Sequence, residues 1–284
     1  MSQPTPPVVT TVVALRAALG RRPPGLVPTM GALHEGHAAL IAGSAAANPA
    51  TVVSIFVNPT QFADPGDFAR YPRSLARDAV FAGAHGATIL FAPTTEEMYP
   101  AGFATSVEVA GLGERWEGAA RPGHFRGVAT VVARLLGLVR PARAYFGEKD
   151  FQQLQIVRRL HADLALPGEI VGWPTVREPD GLAHSSRNTR LSLDGRRSAV
   201  ALPRALRAMA ALARTEDDAA ALVAAGEAVL REATGVHLDY LAVVDPATLA
   251  PVPRLVPGAR AIVAAEVGEV RLIDNVELVP EAGG

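Results

Sequence analysis

Two histidines, His34 and His37, stand three positions apart with Gly36 between them. They follow an apolar run, Leu26–Val27, that stops at Pro28, and Gly31 lies between. That order predicts a strand, a tight turn and the start of a helix. Such a junction aims backbone N–H groups at an anion. Imidazoles three apart on a helix share one face, and each can donate to a phosphoryl oxygen as charge builds on it. Gly36 leaves room for a flat ligand against the backbone. The stretch Met30 to His37 therefore reads as a grip for a nucleotide and its phosphates. Two other readings stay open. One is zinc, although a zinc-protease helix needs histidines four apart with a glutamate beside the first. The other is a pair of solvent-facing histidines at a helix start.

Three more polar clusters carry chemistry. Gly147-Glu148-Lys149-Asp150-Phe151-Gln152-Gln153 puts a lysine, a point charge suited to phosphate, at a strand-to-helix turn. Asp150 there can act chemically or cap the following helix. Glu148 can be a solvated charge, and Gln153, one helical turn beyond Asp150, can hydrogen-bond a hydroxyl or carboxylate of a substrate. Ser185-Ser186-Arg187-Asn188 offers two hydroxyls and a guanidinium, all good phosphate ligands, or else a helix cap. Asn58-Pro59-Thr60-Gln61 sets an amide at a strand end, with Gln61 orienting a substrate or merely covering surface. Glu117 and Arg121 lie in a Gly/Pro-bounded loop and can pair with each other. His85 and His161 read as helix-end or surface histidines. The chain has no Gly-x-x-x-x-Gly-Lys-[Ser/Thr] phosphate loop, no Gly-x-Ser-x-Gly nucleophile and no carboxylate pair in a glycosidase setting.

Short β-rich runs alternating with helical patterns must position these groups. Val52–Val57, Thr88–Phe91, Ala144–Phe146 and Ile170–Trp173 read as strands; Ala76–Ala84 and Phe151–Leu164 read as helices. Val128–Val139 is apolar nearly all round, so it belongs in a core or an interface. The alternation predicts a parallel sheet covered by helices, with ligands outside the carboxyl ends of the strands. All four polar clusters follow strand ends or the last strand. Beyond about residue 176 the pattern changes. Arg196–Ala213 and Asp217–Ala233 read as Ala-rich helices, and Leu238–Val244, Ala261–Ala265 and Glu269–Ile273 as strands. The fold class expected is α/β: a Rossmann-like domain over residues 1–176, then a smaller α+β domain over 177–284.

Composition narrows the partners. The chain has 284 residues, 49% apolar and 19% charged, enough for sizeable cores. Its net charge of −1, from 27 basic and 28 acidic residues, gives no overall field for nucleic acid or an anionic membrane. With no cysteine, disulfides and thiolate chemistry are excluded, which fits a cytoplasmic protein. Met1–Pro7 lacks the basic start and apolar stretch of a secretory signal and reads as a frayed tail. Val128–Val139 contains Arg134 and is too short to span a bilayer.

Taken in order, Pro28–His37, Phe56–Phe62, Tyr71-Pro72-Arg73, Phe146–Asp150 and Ser185–Asn188 resemble the pantoate–β-alanine ligase family, from about Leu26 to Asn275. The His-x-Gly-His pair resembles the signature of a wider nucleotidyltransferase superfamily. The resemblance implies ligation of pantoate with β-alanine in two steps through a pantoyl adenylate, releasing pyrophosphate and AMP. It implies ATP as substrate, Mg²⁺, a homodimer and a C-terminal domain closing over the site. By the same resemblance His34, His37, Lys149, Ser185, Ser186 and Arg187 act on the phosphates, with His37 the usual proton donor. Met30, Gly31, Ala32, Leu33, His34, Glu35, Gly36, His37, Gly147, Glu148, Lys149, Asp150 and Val176 surround the nucleotide, and Gln61 and Gln153 bind pantoate, Gln61 also meeting β-alanine. Tyr71, Glu117 and Arg121 fall in family blocks. Two departures stand out: His184 replaces a common methionine beside the adenine, and Arg77 precedes Asp78 where the family often has further acids near the metal. Asp78 is then the one candidate metal ligand, with ATP phosphates supplying the rest. Two alternatives stay open: a nucleotidyltransferase for another acceptor, against which the Gln61 and Gln153 blocks count, and a non-catalytic nucleotide-binding protein.

Overall fold

A computed structural model of the chain describes residues 5–21 and 23–281. The chain divides into two units. The first runs to Glu148 and resumes over Gln152–Pro174; the second takes Lys149–Phe151 and the chain from Thr175 onward.

The first unit is built on six strands: β1 (Val8–Val9), β2 (Gly25–Thr29), β3 (Thr51–Ile55), β4 (Ile89–Phe91), β5 (Arg143–Gly147) and β6 (Glu169–Trp173). Their order in the sheet is β1-β4-β3-β2-β5-β6, and every pairing is parallel. Leu26, Val27, Val52 and Val53 are fully buried, as expected of strands covered on both faces. The chain steps outward from β2 through β3 to β4 and then returns to lay β5 against the other side of β2. The order therefore reverses between β2 and β5, and in open α/β sheets ligands bind outside the carboxyl ends at such a reversal. Thr29 and Gly147, the last residues of those strands, lead straight into two of the polar clusters.

Helix Glu35–Ala47 packs closely on β2. Gly25 permits this, since a Cβ there would lie 2.1 Å from Ser44 Oγ. Helix His124–Val139 buries Phe125, Val128, Val131, Val132, Leu135 and Leu136, so its apolar character is taken up by a core. The expected frayed tail falls partly on residues 1–4, outside the described residues. The remainder is held: Pro6 is buried and the Pro7 carbonyl accepts from Leu90 N at 3.0 Å.

The second unit carries an antiparallel sheet, β7 (Val236–Val244), β8 (Arg260–Val267) and β9 (Val270–Glu277), in that order. Its own core joins Leu202, Leu206, Met209 and Leu222 to Val263 and Leu272. The single helix expected over Arg196–Ala213 is two, Leu193–Ala199 and Ala201–Leu212. Pro203 explains the break: it has no N–H for the carbonyl of Ala199, where the first helix stops.

Among the described residues, no helix is long and apolar enough to cross a membrane.

Candidate active site

β2 ends at Thr29, and the backbone then turns sharply. Gly31 sits at φ 84° and Ala32 at φ 52°, both in the left-handed region. A buried carboxylate holds this turn. Asp78, 2% exposed, accepts from Ala32 N through Oδ2 at 3.0 Å and from Leu33 N through Oδ1 at 2.9 Å. Gly31 N donates to Thr29 Oγ1 at 3.1 Å. Asp78→Ala is expected to lower the unfolding free energy by about 3 kcal/mol, since two amides lose a charged acceptor. Urea denaturation measures this, and a loss below about 1 kcal/mol would show that the turn stands without its anchor.

The histidines begin where the turn ends. His34 is the N-cap of helix Glu35–Ala47, and its Nδ1 accepts from Gly36 N at 3.1 Å. His37 Nδ1 accepts in turn from His34 N at 3.3 Å. The two rings thus cap one helix reciprocally, with centroids 4.1 Å apart. Accepting at Nδ1 leaves the proton of each neutral imidazole on Nε2. This refines the sequence expectation. The amides of Gly31, Ala32, Leu33, His34 and Gly36 already have acceptors within the protein. An anion at this junction would therefore meet imidazole N–H groups in place of unpartnered backbone.

Gln61 lies in the short turn Pro59–Gln61 after β3 and is 7% exposed, so it is no surface residue. Its Oε1 accepts from Asn58 Nδ2 at 3.0 Å, and its Nε2 donates to Met30 Sδ at 3.1 Å. Asn58 is itself fixed by Tyr99, whose hydroxyl donates to Oδ1 at 2.8 Å. Burial pushes the Tyr99 phenol above its ordinary pKa, against an opposing hydrogen bond with Thr60, so it stays a donor. His124 Nδ1 lies 2.9 Å from the Gln61 carbonyl, and its Nε2 lies 3.2 Å from Arg121 Nη1. Met30, Gln61 and Arg121, separate in sequence, thus share one network. Gln153 is half-buried on helix Phe151–Asp163. Its neighbour Gln152, which the sequence did not single out, accepts from Glu117 N and donates to the carbonyls of Leu112 and Arg115. That one side chain fixes the loop around Glu117. His85 and His161 cap carbonyls near helix ends, as expected.

The second unit holds the remaining candidates. Val176 and His184 pair across a hairpin, with His184 N donating to Val176 O at 3.0 Å, around the Glu178–Gly181 turn. Ser185 caps the following turn, Ser186–Arg190, through its Oγ. Asn188 ties that turn to Glu178 at 2.8 Å, and Arg196 closes on Glu178 at 2.6 Å. Burial pushes the Glu178 carboxyl up, but Asn188 and Arg196 outweigh it and hold the pKa below the ordinary glutamate value. Its stabilisation is therefore present at neutral pH and is lost as pH falls through the lowered value. Lys149, on the turn Glu148–Asp150, lies 3.7 Å from Asp150 and is mostly buried. Both Lys149 and the Ser186–Arg190 turn adjoin β9.

The profile of the Pantoate-beta-alanine ligase family matches residues 7–277. The chain belongs to this family. It is a ligase of the family that its sequence blocks resemble. The pantothenate synthetase of Thermus thermophilus is 56% identical over 273 residues, covering 96% of this chain and 99% of the relative. That of Deinococcus radiodurans is 56% identical over 262 residues, covering 89% of this chain and 93% of the relative. The crystal structure of the Thermus enzyme superposes with a TM-score of 0.93 at 55% identity, covering 96% of this chain and all of that one. A Francisella tularensis pantoate–β-alanine ligase, described as complexed with βγ-ATP and β-alanine, gives 0.79 at 32% identity, covering 98% and 99%.

Among the described residues, no three His, Cys, Asp or Glu gather as a metal set. Asp78, the expected ligand, turns one oxygen to each of two amides. Those two contacts anchor the turn before His34.

Proposed function

We propose that the ligase activates pantoate as an acyl adenylate at the carboxyl ends of β2 and β5. A carboxylate is a poor acylating agent because its oxide leaving group is poor. A pantoate carboxylate oxygen attacks the α-phosphorus of ATP, a P–O bond forms, and the bond to the β-phosphate oxygen breaks to release pyrophosphate. The β-alanine amine then attacks the acyl carbon, loses a proton and expels AMP. The first step gathers charge on phosphorus and on departing pyrophosphate, so it calls for donors. The observation that carries this reading is the reciprocal capping of His34 and His37, which assigns both rings the Nε2–H tautomer.

In this reading His34 and His37 donate to phosphoryl oxygens. Lys149, Ser185, Ser186 and Arg187 neutralise charge on the phosphates. Met30 to His37, Gly147 to Asp150, Val176 and His184 border the nucleotide. Gln61, held from both ends of its amide, orients pantoate with Gln153. Mg²⁺ would be held mainly by the ATP phosphates, with Asp78 the one candidate protein ligand, and would neutralise charge on them. The family resemblance supports a cytoplasmic homodimer.

Pyrophosphate release tests the reading. It should require ATP and pantoate together, and AMP should appear only when β-alanine is added. Release supported equally by unrelated acids would remove the pantoate assignment in favour of another acceptor.

A further inference from the structure

Lys149 and the two residues after it belong to the second unit, although the chain on either side belongs to the first. A buried polar network of β8 and β9 accounts for this. Asn275, on β9 and 4% exposed, donates from Nδ2 to the Lys149 carbonyl at 2.9 Å. Its Oδ1 accepts from Arg260 Nη1 at 2.7 Å. The guanidinium of Arg260 lies 4.2 Å from the centroid of the Phe151 ring. Behind Asn275, Arg177 grips Asp274 through both oxygens, at 2.7 and 3.0 Å, and donates to the Asn275 carbonyl at 3.3 Å.

The orientation of the Asn275 amide has one solution. Arginine carries donors only, and a backbone carbonyl accepts only. Oδ1 must therefore face Arg260 and Nδ2 must face Lys149. The clamp fixes the backbone at the lysine, and Arg260 fixes it again two residues on. A flexible four-carbon stem directs its ammonium well only if its root is fixed.

We infer that Asn275, oriented by Arg260, is a positioning residue for Lys149: it holds the Lys149 backbone so that the ammonium meets the ATP phosphates during adenylate formation. This rests on the role proposed above for Lys149. Asn275→Asp isolates the contact, since an aspartate keeps an acceptor for Arg260 but sets an oxygen against the Lys149 carbonyl. A displaced catalytic group costs rate even where no reacting contact is removed.

The test is a double-mutant cycle on the intact ligase, with single-turnover pyrophosphate release as readout. Asn275→Asp should slow adenylate formation about tenfold, and by less than about twofold when Lys149 is already alanine. Attack of β-alanine on preformed pantoyl adenylate, and the KM for β-alanine, should not change. A tenfold loss that persists in the Lys149→Ala background would overturn the inference, as would an unchanged rate beside an active Lys149. If Lys149→Ala itself costs nothing, the proposed role of the lysine fails first, and the inference falls with it. Should Asn275→Asp not fold, Arg260→Lys keeps the charge but loses the planar group over Phe151. It should show the same dependence on Lys149, and additivity would again overturn the clamp.

Discussion

Lys149→Ala is expected to slow pantoyl adenylate formation about 10²–10³-fold, the loss usual when one transition-state donor is removed from a preorganised site. The ammonium is mostly withdrawn from water, where its charge acts more strongly than on an open surface. Asp150, 3.7 Å away, limits that charge without cancelling it. The loss should fall on kcat for the first step, because negative charge grows as pyrophosphate departs. Attack of β-alanine on preformed adenylate involves no departing pyrophosphate and should stay within a few-fold of wild type. Rapid-quench measurement of pyrophosphate separates the two steps. A first-step rate within a few-fold of wild type would show that the lysine is not at the phosphates.

His37→Ala should cost about 10²-fold in the same step and destabilise the protein as well, by about 1 kcal/mol, the usual cost of a lost cap. The two effects come from different nitrogens. Nδ1 accepts the His34 amide, and Nε2 carries the proposed donor. His37→Asn separates them: its side-chain oxygen can still accept from His34 N but does not reach as far as Nε2. The rate should fall as in the alanine variant while the unfolding free energy stays near wild type. Because the rings cap one helix together, the effects of His34→Ala and His37→Ala should not add. A His37→Asn variant with full activity would assign the histidine a purely structural part.

Much of the framework was legible because parallel strands buried on both faces announce themselves as short apolar runs. Leu26–Val27 and Val52–Val53 carried that signal, and their turns exposed the polar clusters at the strand ends. What was hidden depends on partners far away in the chain. Asp78 reads from sequence as a candidate metal ligand; its acceptance from Ala32 and Leu33 could not be read there, because the contact spans more than forty residues. Asn275 and Lys149 are 126 positions apart, and no local pattern links an asparagine on a strand to a distant carbonyl. Nothing in the sequence distinguishes Gln152 from Gln153, because helical spacing alone does not say which amide turns inward. The break between the helices at residues 199–201 was readable from Pro203, whose effect lies on a carbonyl four residues upstream. The histidine pair is legible from its spacing, but the tautomer of each ring follows from its Nδ1 capping the same helix, which spacing does not show.

The proposed reaction moves AMP, and no other part of ATP, onto the pantoate carboxylate. Pantoate labelled with oxygen-18 in both carboxylate oxygens tests it in one turnover with ATP and β-alanine. Mass analysis should find one labelled oxygen in the phosphate of AMP and none in pyrophosphate. Label in inorganic phosphate, with ADP as the nucleotide product, would mean an acyl phosphate intermediate and would contradict the account.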